Sequence, residues 1–280
     1  MAVAMRSKAK YGSKIILDIC DNHFIFDETN LEAVKKSFQL KAAIAQVDHL
    51  IVSSNYLRDR VTEECGANIE ITIIGDLVEE PNIGYWYSSF LNPIASLQYF
   101  KLKYWLQNHT PSKKTRLVWF GNHGGNYSEA GMVDLLKIKD LLHDLHKKFP
   151  LSLTVVSNSR KKYDQLVSNW YIPTFYTPWN RNNFSRIIKL HSTTVIPITP
   201  NKFTLSKTEN RVTTALAHGL QVVADEIPSY TKFSQYTYLN QWQDGLVNCF
   251  GERGRSLREF DFSHHNQAIA FKWFDLFDSL

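Results

Sequence analysis

An α/β architecture of two doubly wound, parallel-sheet, Rossmann-like domains facing a cleft follows from three features of this chain. Short β-branched runs alternate with amphipathic helical stretches, the alternation occurs in two successive series, and an aromatic- and proline-rich segment separates them. With 280 residues, 44% of them hydrophobic and 21% charged, the chain has room for two ordinary domains. The expected division is 1–110 and 111–280, with the final helix returning toward the first domain.

The first series opens with a buried strand over Lys14–Ile19. Leu31–Gln46 follows as a helix with Leu31, Val34, Phe38 and Ala42 at helical spacing. His49–Ser53 is a second strand, and a helix over Asn55–Cys65 ends at Gly66, which suits a left-handed turn. Ile69–Ile74 is the third strand, so the connections are right-handed parallel crossovers. Val78–Thr115 breaks the rhythm with Pro81, Pro93 and Pro111, and reads as the interdomain connection with a helix near Ile94–Gln107. Its aromatics (Tyr85, Trp86, Tyr87, Phe90, Tyr99, Phe100, Tyr104, Trp105) read as interdomain core in preference to a ligand platform.

The second series begins with the strand Arg116–Phe120 and the glycine-rich turn Gly121–Gly125. A long helix is expected over Met132–Phe149, with Leu135, Ile138, Leu142 and Leu145 on one side. The strand Leu151–Ser157, the helix Tyr163–Asn169 and the short strand Thr174–Thr177 follow. Asn183–Leu190 is helical, Thr194–Ile198 a strand, Lys207–His218 a helix and Gln221–Ala224 a strand. Ser263–Leu280 closes the chain as a helix with Ile269, Trp273 and Phe277 at helical spacing, a face that needs cover.

Composition narrows the function classes. The net charge of +5 is mild, and the basic groups (Arg6, Lys8, Lys10, Lys14; Lys113, Lys114, Arg116; Arg160, Lys161, Lys162) read as solvated surface. An anionic ligand or peripheral contact with an anionic membrane is the sharper alternative. Nucleic acid is not expected, since no stripe of basic and aromatic residues and no reader motif occurs. Cys20, Cys65 and Cys249 are odd in number, far apart and without CxxC spacing, which argues against a disulfide framework or structural zinc and for the reducing cytoplasm. Charges break the apolar runs well before the ~18 residues of a membrane span, and residues 1–14 lack the apolar core of a signal peptide.

Three segments hold candidate chemistry. In Ser206–Gly219, Ser206 and Glu209 have capping-box spacing, so the helix should begin beside Lys207. Val212, Ala215 and Leu216 would pack on the sheet, while Lys207, Asn210, Arg211 and Thr214 lie on another face. Free N–H groups, a positive dipole end and two cations suit a diphosphate, although the same residues serve equally well as a solvated face. In Val118–Asn126, a strand runs into Gly121, Asn122, His123, Gly124 and Gly125. That turn lets backbone approach a phosphate or sugar, but it carries neither the dinucleotide nor the P-loop fingerprint. In Asp18–His23, Asp21 and His23 either touch substrate hydroxyls or cap the following turn. His143 with His146, and His264 with His265, lack the partners of a metal site.

Leu50–Leu57, the turn Trp119–Asn122, and above all Asn210–Ala224 (NRVTTALAHGLQVVA) with Ile227–Tyr230 resemble retaining glycosyltransferases of the family 4 type. The resemblance implies a GT-B fold, a nucleotide-diphosphate sugar as donor substrate held mainly by the C-terminal domain, and neither metal nor cofactor. It also implies that Lys207, Arg211 and Asn210 contact the donor diphosphate, that Gly121–Gly125 faces the donor, and that Asp21 or His23 faces the sugar. The family commonly carries two glutamates around this helix; Ser206 and Thr214 stand there instead, which places Thr214 in the ribose region. Relatives also have several strands and helices before the one matching Lys14–Ile19, so the N-terminal domain is expected to be incomplete, leaving an edge open to a second copy. The leading expectation is glycosyl transfer to an unidentified acceptor, whether glycan, lipid or small molecule. A non-catalytic nucleotide-sugar- or partner-binding remnant is the alternative, and a sugar epimerase the third option.

Overall fold

A computed structural model describes residues 2–24, 30–66, 69–79, 81, 92–124, 130–251 and 259–280. The helix α1 (Ala2–Tyr11) precedes β1 (Ile16–Ile19), α2 (Leu31–Ile44), β2 (His49–Val52), α3 (Asn55–Cys65) and β3 (Ile71–Ile73). All three strands are parallel, in the order β1-β2-β3, with Ile16 opposite His49 and Leu50 opposite Ile71. Alternation along β2 divides the layers. Leu50 and Val52 pack with Ile44, Leu57 and Val61 of α2 and α3, whereas Ile51 points to the opposite face. That face is covered from the far end of the chain by Ile269 and Leu276 of the last helix.

After α4 (Pro93–His109) come β4 (Arg116–Phe120), a 3-10 segment (Met132–Ile138) running into α5 (Lys139–His146), β5 (Ser152–Ser157), α6 (Arg160–Leu166) and β6 (Thr174–Pro178). They are followed by α7 (Phe184–Ile188), β7 (Thr193–Ile196), α8 (Asn210–Ala217), β8 (Gln221–Ala224), β9 (Tyr238–Leu239), α9 (Trp242–Phe250) and α10 (Phe262–Ser279). The second sheet is parallel throughout, in the order β6-β5-β4-β7-β8-β9. Strand order reverses between β4 and β7, the dinucleotide-fold arrangement in which ligands sit outside the carboxyl ends at the switch point. Two apolar layers flank this sheet. One is built around Trp119, Met132, Leu135 and Leu142, the other around Leu102, Leu106, Val118, Val212 and Tyr230.

Several local expectations need correction. Residues 2–11 are helical, as is Trp242–Phe250, and Tyr238–Leu239 adds an edge strand; none has an apolar period long enough to stand out in the sequence. The stripe of Leu31 and Phe38 faces outward, and α2 meets the sheet through Ile44 and through Ala33 and Ser37, the last two small enough to allow close approach. Met132–Phe149 is not one α-helix. Buried Asp134 accepts from the N–H groups of Gly131 (2.9 Å) and Thr199 (3.0 Å), which anchors a tight first segment before α5. The helix expected from Lys207 begins at Asn210. Ser206 cannot cap it, because its hydroxyl donates to the Lys202 carbonyl (2.7 Å) and accepts from Asn22 (3.2 Å), while Glu209 turns to Lys232 (2.6 Å). Of the connecting aromatics, Tyr99 and Trp105 are partly buried and Phe100 and Tyr104 exposed; Tyr85, Trp86, Tyr87 and Phe90 lie outside the described residues. On α10, Leu276 is buried where Phe277 was expected, and Phe277 faces out. No helix among the described residues is long and apolar enough to cross a membrane.

Candidate functional site

The carboxyl ends of β1, β3, β4, β5 and β6 converge on a cleft containing two adjoining cavities of about 690 and 360 Å³. Both are lined by Cys20 and Asp76 from the first sheet and by Gly121, Asn122, Asn210 and Arg211 from the second.

The loop after β4 forms one wall. Gly121 extends the strand, its N–H donating to the Val156 carbonyl (3.1 Å) and its carbonyl accepting from the Ser157 hydroxyl (2.8 Å). At Gly124 the chain turns with φ +91°, and a Cβ there would lie 2.0 Å from the Ala130 carbonyl oxygen, so only glycine fits. Asn122 accepts from the Gly124 N–H (3.2 Å). His123 lines neither cavity; its Nδ1 lies 2.6 Å from Oδ1 of Asn158, which lines the larger one. Gly125 lies outside the described residues.

The start of α8 forms the facing wall. Glu209 holds the N-cap position, but its side chain is directed to Lys232, and the Thr208 hydroxyl oxygen accepts from the Asn210 N–H instead (3.3 Å). The rest of the first turn and the positive end of the helix dipole are left for a ligand. Arg211 in this turn lies against the glycine wall: a methyl group at Gly121 would meet its Nη1 at 3.6 Å. Its guanidinium also lies beside the side chain of buried Tyr230. Asn210 is exposed and accepts from the Thr214 hydroxyl (3.2 Å), and both line the larger cavity.

Lys207 stands ahead of the helix in extended backbone and lines the smaller cavity. Its Nζ lies 2.6 Å from Asp21 Oδ1 and 4.0 Å from the centre of the Phe203 ring. This ion pair joins the two halves of the chain, and beside it buried Asn22 donates to the Lys202 carbonyl (3.1 Å). His23 is exposed and lines neither cavity, so of the two candidates in that segment only Asp21 enters the cleft.

Carboxylates dominate the first-sheet side. Burial, followed by the charges of Asp18, Asp76 and Asp21, pushes the Cys20 thiol up to about 11, which keeps it protonated and a poor nucleophile at neutral pH. Burial and then the Asp76 charge raise the Asp18 carboxyl. At the far end of the larger cavity, burial pushes His218 downward; its Nδ1 donates to the Thr214 carbonyl (2.7 Å) and Nε2 faces the Ser185 hydroxyl (3.0 Å). The lining residues Asp76, Asn158 and Trp179 were not anticipated. Each follows the carboxyl end of a parallel strand, which is the signal that could have found them.

Among the described residues no group of three or more His, Cys, Asp or Glu is arranged to hold a metal ion. The positive charge lining the two cavities comes from Lys207, Arg211 and Arg181, with the helix start beside them.

No protein-family model and no curated protein matches the chain. Solved structures do. The crystal structure of TarM aligns with a TM-score of 0.63 at 13% identity, over 95% of this chain and 51% of that one. HepE of Anabaena, in complex with UDP and glucose, aligns with a TM-score of 0.63 at 12% identity, over 100% of this chain and 75% of that one. Sucrose-phosphate synthase from Thermosynechococcus elongatus gives 0.60 at 13% identity, over 100% of this chain and 72% of that one. This chain therefore spans about half the length of the TarM chain and about three quarters of the other two.

Proposed function

We propose that this chain, whose fold is that of the GT-B glycosyltransferases, binds a nucleoside-diphosphate sugar in the cleft and transfers the sugar to an acceptor. One observation carries the reading: Lys207, Arg211 and the first turn of α8 face the glycine turn after β4 across one cavity at the strand-order switch. HepE, solved with UDP-glucose, lends support at the level of fold.

In this reading residues 111–280 hold the donor and residues 1–110 the acceptor side. Lys207 and Arg211 bind the diphosphate with Asn210 beside them, Thr214 lies in the ribose region, and Gly121–Gly124 let backbone approach the donor. As the bond from sugar C1 to the diphosphate breaks and the acceptor oxygen bonds to C1, negative charge grows on the leaving group. Fixed cations and N–H dipoles stabilise that charge without a metal or cofactor. Asp21 reaches this place from the first domain and is the group proposed to face the sugar. A closed cleft would also limit hydrolysis.

A second reading, a binding protein without transfer activity, is favoured by one contact: Asp21 already occupies Lys207 at 2.6 Å. Calorimetric titration with UDP, GDP and their sugars, paired with assays for transfer and hydrolysis, separates the two. A charge-assisted contact contributes about 1.5–3 kcal/mol, so Lys207→Ala or Arg211→Ala should weaken binding roughly ten- to a hundredfold. Arg211→Lys should retain part of it if the guanidinium binds two phosphate oxygens. Equal binding by wild type and the double variant would show that the diphosphate sits elsewhere. Binding without turnover of any sugar supports the second reading, and no binding of any nucleotide removes the first.

A further inference from the structure

Away from the cleft, one flank of the second sheet combines exposed apolar side chains with lysines for which the described residues show no ion pair. The helix α4 buries Ala95, Leu102 and Leu106 and leaves the opposite side uncovered. Ile94, Leu97, Phe100 and Tyr104 are 67%, 54%, 57% and 70% exposed. At 100° per residue these four fall within an arc of about 120°, with Lys101 inside the arc and Lys103 beside it. Four large apolar side chains in a single stripe form a patch, whereas scattered single ones are ordinary surface.

The stripe lies among elements that carry basic residues and no acidic ones. The helix is fastened to α7 and to the edge strand β6. Asn183 donates to the Ala95 carbonyl and to Gln98 (2.8 Å each), the Arg186 guanidinium stacks 4.0 Å over Tyr99, and the Trp105 and Phe175 rings lie 5.1 Å apart. All these elements come from two stretches, residues 81–128 and 165–208, that contain no aspartate or glutamate. The same stretches contain Lys101, Lys103, Lys113, Lys114, Arg116, Arg181, Arg186 and Lys189. Among the described residues the ion pairs seen include none with Lys101, Lys103, Lys113 or Lys114. At the border with the cleft, Glu79 from the first domain approaches Arg181 at 3.5 Å.

We propose that this flank, centred on α4, docks on an anionic membrane surface. An amphipathic helix lying in the interface buries its apolar stripe at the headgroup level while flanking lysines meet acidic lipids, and both halves of that arrangement are present here. Charge complementarity selects this occupant: a second copy docked through the same face would set these lysines against a like charge. The cleft residues Trp179, Arg181 and Phe184 adjoin the same short helix α7, so docking would hold the cleft mouth close to the lipid headgroups.

The test is co-sedimentation of the full chain with vesicles of phosphatidylcholine alone and of equal parts phosphatidylcholine and phosphatidylglycerol, at low and high salt. The wild type should pellet with the anionic vesicles only, and salt should release it. Lys101→Gln and Lys103→Gln should each lower partitioning roughly fivefold, and Leu97→Glu/Phe100→Glu should abolish it. Thermal unfolding should be nearly unchanged, since the four positions are exposed. Failure to pellet with anionic vesicles, equal binding to neutral ones, or full binding by the variants overturns the proposal. Sedimentation velocity supplies the remaining outcome: a wild-type dimer that becomes monomeric in Leu97→Glu/Phe100→Glu and ignores vesicles assigns the face to a second copy and overturns docking on lipid.

Discussion

Asp21 and Lys207 meet at 2.6 Å across the cleft, with about a third of each side chain exposed. An ion pair open to water in this way contributes at most ~1 kcal/mol, so an incoming diphosphate can displace it. In the proposed reading Asp21 is an internal counter-ion of the donor site. Asp21→Asn should therefore tighten binding of a nucleoside diphosphate by roughly two- to fivefold, and the gain should vanish in a Lys207→Ala background. A calorimetric double-mutant cycle reads this directly; additive effects of the two changes would dissociate the ion pair from binding. Each residue could be found in the sequence as a polar group at an element end. Their pairing could not, because no local pattern relates positions so far apart in the chain.

At the scale of elements, the loop after β4 depends on glycines in left-handed backbone. Gly124 has φ +91° with the Ala130 carbonyl against it, and Gly131 has φ +92° with the Asn122 carbonyl 2.7 Å from where a Cβ would be. Gly124→Ala should cost on the order of 1–3 kcal/mol and weaken nucleotide binding by moving the wall of the cleft. Gly12→Ala is the control, since Gly12 also has positive φ (+66°) but nothing within 4 Å of an added methyl. Urea unfolding of both variants should show the larger loss at Gly124; equal losses would mean that the close approach is unimportant. The glycine turn was legible in the sequence because strand and turn chemistry are local. The start of α8 was not: Ser206 matches a capping box in spacing, but its hydroxyl is taken by Lys202 and Asn22. Tertiary partners can override a local cap whenever they offer the same hydroxyl comparable bonds.

For the molecule as a whole, α10 ties the end of the chain to its beginning. Ile269 and Leu276 lie on Ile51 and Ile74, and Asn266 exchanges two hydrogen bonds of 2.8 Å with the backbone of Val78. Without this helix one face of the three-stranded sheet would lose its apolar cover. Ile269→Ala/Leu276→Ala should cost about 2 kcal/mol or more per site. Hydrogen exchange should then quicken in β1–β3 while β4, β5 and β7 stay protected. Uniform acceleration in both sheets would show instead that the two halves unfold as one unit.

The alternation of apolar runs, the glycine turn and the cations near α8 were all readable from the chain alone, since each depends on neighbours within a few positions. Periodicity of burial and turn chemistry are short-range properties, and they suffice for parallel α/β layers and for locating polar groups at strand ends. What the folded molecule alone could decide was which of those groups share a cavity. Asp21 enters the cleft while His23 stays outside, Arg211 joins Tyr230 and Lys207 joins Asp21. The same holds for Leu276, and not Phe277, covering the first sheet, and for α4 leaving Phe100 and Tyr104 bare. The physical reason is common to all of these. Partners distant in sequence are selected by the closure of the whole chain, and the local pattern at either end is compatible with several of them.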